Sequence, residues 1–435
     1  MNRLFNSLIF ISFFLISNCS LNNPGGFWTK QKDLSSNQSE FEVLFKKDQE
    51  LSNEFNKEFL LNIKSSQLKK NNLSYLDSND GYKPFQNSLE KVSKYKFSKI
   101  KNFDSFEANL IFYKNNIIFF DNKGSIISYS DYGDLVWKSN IYTKAEKKIQ
   151  PLISLEKYNN FLIAADNLGK IYSLDINDGK ILWIKENTSP FNSGLKVLDD
   201  YIFIIDANNT LNCFSINDGT KIWERNTEKS FINTTKKLSL VVKDDRIIFS
   251  NSIGEIVSVD INSGALSWLR PTKNSFIFDE IFNLKTSDII LNDNSIYFSN
   301  NKGDFYSIDA NNGSVNWKQN ISSDLKPIIL GNLIFTISLD GYLFLIEKNT
   351  GNILRITNVV NNLKINKKKK ISPTGFILNK ENIYISTDQG LLIVIDVETG
   401  QNSNFYKINK KKISRAFINN NSMYLIQDDS ILKLN

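Results

Sequence analysis

Histidine is absent from the 435 residues, which removes imidazole metal ligands, histidine general bases and Ser-His-Asp chemistry at once. Cysteine occurs only twice, at Cys19 and Cys213. That is too few for a disulfide framework or a cysteine-rich zinc module. No apolar run reaches the roughly 20 residues that a membrane-spanning helix needs. No catalytic or metal-binding constellation is visible, so the reading is a non-enzymatic chain with no cofactor and no metal. What is abundant is aromatic and apolar material, 32 Phe, 16 Tyr and 6 Trp within 41% hydrophobic residues. Such a chain can bury a large core and is not disordered.

The N-terminus carries one charge, Arg3, followed by the short apolar run Leu4–Ile16. This pattern predicts a secretory signal peptide over residues 1–18. The segment Leu15-Ile16-Ser17-Asn18-Cys19 resembles the lipobox of bacterial lipoproteins, which implies lipidation of Cys19. Ser20 in the following position implies retention in the outer membrane of a two-membrane cell. Several acyl chains on one cysteine anchor a protein stably. Cys213, inside the apolar run Leu211–Ile216, reads as a small buried hydrophobe.

Repeats decide the fold class. Gly124…Gly133-Asp-Leu-Val-Trp137, Gly169…Gly179-Lys-Ile-Leu-Trp183, Gly254…Gly264-Ala-Leu-Ser-Trp268 and Gly303…Gly313-Ser-Val-Asn-Trp317 align without gaps. A fifth copy has Asn209 for the first glycine and continues to Gly219-Thr-Lys-Ile-Trp223. Two degenerate copies follow, Gly341…Gly351 with Arg355 in the tryptophan position, and Gly390…Gly400 with Asn404. The second glycines recur every 38 to 49 residues, the spacing of a propeller blade. Each copy holds short β-branched and aromatic strands separated by Asn/Gly turns that supply positive φ. A four-stranded sheet cannot bury both of its faces alone, so neighbouring sheets stack and a ring closes. Trp137, Trp183, Trp223, Trp268 and Trp317 put an indole on the same face of every last strand and are assigned a blade-docking role. Asp175, Asp260, Asp309 and Asp396 recur once per copy at a turn, which marks them as turn-capping residues.

After the seventh copy, Ser414–Ile418, Met423–Ile426 and Ile431–Leu434 read as three strands. One strand-like stretch, Val92–Ile100, is left over upstream. Together they make an eighth blade and close the ring without an open edge. Residues 92–435 shared among eight blades give 43 residues each. The expected organisation is a signal peptide at 1–18, a tether at 19–91 and an all-β eight-bladed propeller at 92–435. Within the tether, Phe41, Leu44, Phe45, Leu51, Phe55 and Phe59 recur at roughly helical intervals. This predicts a helix near 40–61, with 71–87 as a flexible linker.

The units Leu-Asp-Ile-Asn-Asp-Gly-Lys-Ile-Leu-Trp (174–183) and Ser-Ile-Asp-Ala-Asn-Asn-Gly-Ser-Val-Asn-Trp (307–317) resemble the PQQ-type propeller repeat. Together with the lipoprotein signal, they make the chain similar to the BamB-type outer-membrane assembly factors. That resemblance implies a periplasmic scaffold on the outer membrane, held by its lipid anchor. Its implied partners are the periplasmic domains of the barrel-insertion channel and its accessory lipoproteins. Family contacts come from loops around the third and fourth blades, which match 224–238 here and make Phe231 and Ile232 the candidate partner-binding residues. Apolar residues in a polar loop suit an interface core, and equally suit an inner strand of the fourth blade.

Two other readings remain. Quinoprotein dehydrogenases share the repeat, but need PQQ at the ring centre, Ca²⁺ on oxygen ligands and commonly adjacent cysteines. The sequence has no adjacent cysteines. The third reading is a lipoprotein propeller for another periplasmic ligand. The runs Lys367–Lys370 and Lys410–Lys412 read as solvated loops, or as contacts with anionic lipid or acidic partners. Nucleic acid does not suit an exported chain.

Overall fold

In a computed structural model, residues 51–62, 76, 78–86, 88–103, 107, 109–229, 236–273, 281–360 and 370–435 are described. These residues build eight four-stranded antiparallel sheets. Seven are formed by consecutive strands and define blades 1 to 7, over 111–139, 153–186, 196–226, 240–271, 290–319, 328–358 and 373–407. Blade 8 takes Phe417–Asn419, Ser422–Ile426 and Ser430–Leu434 from the C-terminus and Lys91–Lys96 as its outermost strand. That closing strand pairs in antiparallel register from Lys91↔Leu434 to Lys96↔Ser430. The expected eighth blade is present, with the N-terminal strand at its rim.

The pattern of burial explains the ring. In blade 3 the second strand, Tyr201–Ile205, and the third, Thr210–Ser215, are buried along nearly their whole length, whereas the outermost, Lys221–Asn226, is largely exposed. The middle strands need cover on both faces, and each neighbour supplies it. One apolar cluster joins Tyr424, Ile426 and Ile431 of blade 8 to Ile118 and Phe119 of blade 1 and Leu162 and Leu174 of blade 2. Another joins Tyr297 and Phe305 of blade 5 to Ile334 and Phe344 of blade 6. Burial of this apolar surface, at about 25 cal/mol per Å², stabilises the stack only when every blade has two neighbours. Cys213 is fully buried in this layer.

The N-terminal region departs from expectation in two places. Residues 51–62 contain no helix; the remainder of the expected helix, 40–50, lies outside the described residues. Phe55 forms an antiparallel bridge with Ile356 in the outermost strand of blade 6, through Phe55 N–H to Ile356 O at 3.0 Å and Ile356 N–H to Phe55 O at 2.9 Å. An exposed sheet edge offers unpaired backbone groups that an extended chain satisfies and a helix cannot. The stretch expected as a flexible linker is not one over 78–86. It crosses the mouth of the central channel, where Asn79 exchanges hydrogen bonds with the backbone of Ile329, and Tyr82 bridges Leu378. Gly81 is pressed so closely on Ile328 that a β-carbon would stand 2.2 Å from Cγ1.

Candidate functional site

The five tryptophans occupy equivalent places. Each sits on the outermost strand of its blade and lies against the second glycine of the next blade. A β-carbon added to Gly179 would be 2.4 Å from the Trp137 ring; the distance is 2.5 Å for Gly219 with Trp183 and 2.6 Å for Gly264 with Trp223, Gly313 with Trp268 and Gly351 with Trp317. These glycines have φ between +67° and +76°, a conformation costly for any residue with a side chain. The turn and the indole therefore both require glycine. Four indoles also donate to the carbonyl three residues before that glycine: Trp137 to Ile176 at 3.2 Å, Trp183 to Ile216 at 2.8 Å, Trp268 to Ala310 at 3.1 Å and Trp317 to Lys348 at 2.9 Å. The Trp223 indole nitrogen has no hydrogen-bond partner among the described residues.

A register shift next to each tryptophan aims the ring. Ser173 pairs with Trp183 but Leu174 pairs with Ile181, so Leu182 bulges outward, and the same slip follows Ser128, Cys213, Ser258 and Ser307. Bulges turn a strand locally and redirect its side chains. The Asp residues of these turns accept backbone N–H groups at their own corners, as Asp175 does from Asn177 at 2.8 Å and Asp309 from Asn311 at 2.8 Å.

Two residues extend this series: Arg355, which the spacing put in the tryptophan position without giving it a role, and Tyr95, which the spacing did not single out. Arg355 covers Gly400 and donates through Nη2 to the Val397 carbonyl at 2.9 Å, three residues before the glycine. Its Nη1 donates to the carbonyls of Phe59, at 2.9 Å, and Glu398. Burial lowers its pKa to about 10, a nearby Asp396 carboxylate opposing the shift. At the closure, Tyr95 of the outermost strand of blade 8 lies at van der Waals distance from Gly133 of blade 1 and donates to the Asp131 carbonyl at 2.9 Å. Asn404 has no such task. Blade 8 draws its outermost strand from the other end of the chain, so it has no turn glycine for blade 7 to meet.

The ring encloses a channel with a cavity of about 290 Å³. Ser78 and Asp80 of the crossing segment line it. Its wall carries Lys196, Lys236, Lys237, Lys326, Lys412 and Arg415 against Asp80, Glu107, Glu156 and Asp288. Asp80 is held by Lys326 at 2.7 Å and by both terminal nitrogens of Arg415 at 3.2 Å. Burial opposes ionisation of Asp80, but the two cations outweigh it and keep the carboxyl well below the ordinary range. Lys236 is paired with Glu107, and Lys237 donates to Ser154 Oγ at 2.7 Å. Burial pushes Lys237 and Lys196 down to about 8 and raises Glu156.

Cys19, Phe231 and Ile232 lie outside the described residues, as do Lys367, Lys368 and Lys369. Lys370 is exposed and pairs with Asp340 at 3.1 Å; Lys411 pairs with Asp428 at 3.3 Å. Among the described residues, no group of three or more Cys, Asp or Glu side chains is placed to hold a metal ion, and no helix is long and apolar enough to cross a membrane.

The sequence profile of a family described as outer membrane protein assembly factor BamB matches residues 113–357. No curated protein matches this sequence. Among solved structures, BamB from Moraxella catarrhalis superposes with a TM-score of 0.65 at 17% identity, over 80% of this chain and all of that one. A europium-containing methanol dehydrogenase gives 0.60 at 10% identity, over 79% of this chain and 86% of the other. The quinohemoprotein alcohol dehydrogenase from Comamonas testosteroni gives 0.58 at 10%, over 83% and 77%.

Proposed function

Because the chain belongs to the BamB family of outer membrane protein assembly factors, we propose that it is a non-enzymatic scaffold lipoprotein of the β-barrel assembly machinery. It would bind the periplasmic domains of the insertion channel and its accessory lipoproteins from the periplasmic face of the outer membrane. The observation that carries this reading is the family match running from blade 1 to blade 6 on a ring closed by its own N-terminal strand. A scaffold needs a rigid frame that presents connecting loops, and the docking series supplies it. The anchor would be acylated Cys19. The partner surface would include the connection between blades 3 and 4, with Phe231 and Ile232 at its apolar centre.

The dehydrogenase neighbours share the fold at 10% identity, which speaks for the fold alone. A quinone held beside a cation needs a set of oxygen ligands at the ring centre. Here Ser78 and Asp80 cross that space, the wall is rich in lysine, and no acidic group of metal-binding size stands there among the described residues. These residues do not fit such a site.

The test is a pull-down in mild detergent from native membranes, read by mass spectrometry. Recovery of the barrel-insertion channel with wild type, and its loss with Phe231→Asp/Ile232→Asp, supports the scaffold and its surface. Absence of every assembly component overturns it. For the anchor, Cys19→Ser is expected to move the protein to the soluble periplasmic fraction; unchanged membrane association without an acylated N-terminal peptide would refute the assignment.

A further inference from the structure

We propose that the face of the ring carrying the blade-to-blade connections docks on an anionic lipid bilayer, through the sector that runs from blade 7 past blade 8 to blade 2. The antiparallel order of each blade puts its first and last turns on one face. The middle turn and the connection to the next blade lie on the other. The two faces differ in charge. On the turn face, the first turns of blades 3, 4 and 5 carry Asp199 and Asp200, Asp244 and Asp245, and Asp293. On the connection face, Lys410, Lys101, Lys123, Lys144 and Lys148 are exposed and Lys147 is half-buried. None of the six has a carboxylate partner among the described residues. The nearby carboxylates serve other groups: Asp121 pairs with Lys138 at 2.9 Å, Glu146 with Lys170 at 2.6 Å and Asp429 with Lys94 at 3.7 Å, while Asp428 lies between Lys99 at 3.2 Å and Lys411 at 3.3 Å.

The sector is continuous. Asp428 joins the connections on either side of blade 8 through Lys99 and Lys411. The Asn122 N–H donates to the Ser98 carbonyl at 3.3 Å, and Asn140 Nδ2 to the Lys123 carbonyl at 3.0 Å, which carries the contact on to the connection between blades 1 and 2. There the short helix Lys144–Ile149 is pinned by a capping box between Thr143 and Glu146, yet none of its residues is buried. Ile149 stands 61% exposed beside Lys147 and Lys148. Lysines around an exposed apolar side chain suit the headgroup region, where ammonium groups meet phosphates and the apolar group enters the acyl boundary. The lysines also favour a bilayer over a carboxylate-bearing protein. Each is a compact charge on a flexible stem, without the fork with which arginine grips a fixed carboxylate. A fluid layer of anionic headgroups can follow charges spread over several loops. The acidic turn face is repelled by the same surface, so docking would also orient the ring.

Flotation of the full chain carrying Cys19→Ser with phosphatidylglycerol-containing vesicles, and separately with phosphatidylcholine vesicles, tests this. Cys19→Ser removes any acyl anchor, so the result stands or falls apart from the scaffold reading. Binding to the anionic vesicles is expected to be at least about tenfold stronger than to the neutral ones, and to fall away at about 0.5 M salt. Lys144→Gln/Lys147→Gln/Lys148→Gln should weaken it at least about tenfold, and Ile149→Ser severalfold. Lys114→Gln/Lys180→Gln/Lys380→Gln makes the same change in charge at exposed turns of the opposite face and should leave binding unchanged. Unaltered melting curves are expected for both triple variants, since the helix buries none of its residues. Equal binding to the two kinds of vesicle, or equal losses from the two triple variants, overturns the proposal. So does salt-sensitive self-association without vesicles that the helix variant abolishes, which would assign the basic face to the acidic turns of a second copy.

Discussion

Arg355 covers Gly400 as an indole covers the glycine in the neighbouring blades. Its Cζ and Nε would each stand 2.6 Å from a β-carbon there. A guanidinium is flat, stacks well and donates in the plane of its fork, so it reproduces both contacts of the indole. It adds a third, to the carbonyl of Phe59, and so ties the extended segment 51–62 to the seam between blades 6 and 7. Arg355→Ala is expected to destabilise the protein by about 2–4 kcal/mol, because buried carbonyls lose charged donors. Arg355→Trp should restore most of that but leave the Phe59 carbonyl unmatched, so limited proteolysis should cut within 51–62 faster than in wild type. Equal urea midpoints for wild type and Arg355→Ala would refute this role.

Gly179→Val is expected to cost about 2–4 kcal/mol, combining left-handed backbone strain with a clash against the Trp137 ring. Gly194→Ala, where no atom lies within 4 Å of the new β-carbon, should cost far less. Thermal melts of the two variants compare them directly.

Asp80 links acid stability to the channel. Its carboxyl is held low in the folded state, against about 3.9 when unfolded. The unfolded chain therefore takes up a proton first as pH falls. Asp80's contribution is present in full above the unfolded value and is lost as pH drops below it toward the lowered native value. Asp80→Asn should lower the melting temperature at pH 7, and the gap from wild type should narrow steadily below pH 4. A gap that widens in acid would contradict the sign.

Cys213 is fully buried, and burial pushes its thiol up to about 12. The thiolate is the reactive form, so this residue should resist Ellman's reagent in native protein and react once urea unfolds it. Rapid labelling of Cys213 in the folded state would show that the blade 3 core opens.

Removal of residues 1–103 takes away Lys91–Lys96 and leaves Ser430–Leu434 as an unpaired edge. Aggregation or a sharply lower melting temperature is expected, read by light scattering and calorimetry. A monomer with an unchanged melt would show that the closing strand is dispensable.

The repeats were legible because their chemistry is local. Glycine at Gly179 and Gly313 answers to a positive φ, and the tryptophan four residues later answers to the matching glycine of the next blade. The count of eight followed from strands left over at the two ends. Arg355 and Tyr95 were harder, since each replaces an indole by a different chemical route to the same contact. Arg355 stood at the right offset but looked degenerate by residue type. The segment 51–62 misled because Phe55 and Phe59 have helical spacing, while the deciding factor is a distant sheet edge at Ile356. Asp80 gave no local signal at all; its partners Lys326 and Arg415 lie some 250 and 335 residues away, and only the closed ring brings them together.

The pairing of Lys91 with Leu434 also sets a timetable. Synthesis runs from the N-terminus, so the closing strand is made long before its partner. Until then the strand must stay solvated and blades 1 to 7 must wait as an open stack. Its sequence, Lys-Val-Ser-Lys-Tyr-Lys, suits that interval: three lysines keep a waiting edge from pairing with the wrong neighbour, and one tyrosine is enough to find Gly133 when the circle finally meets.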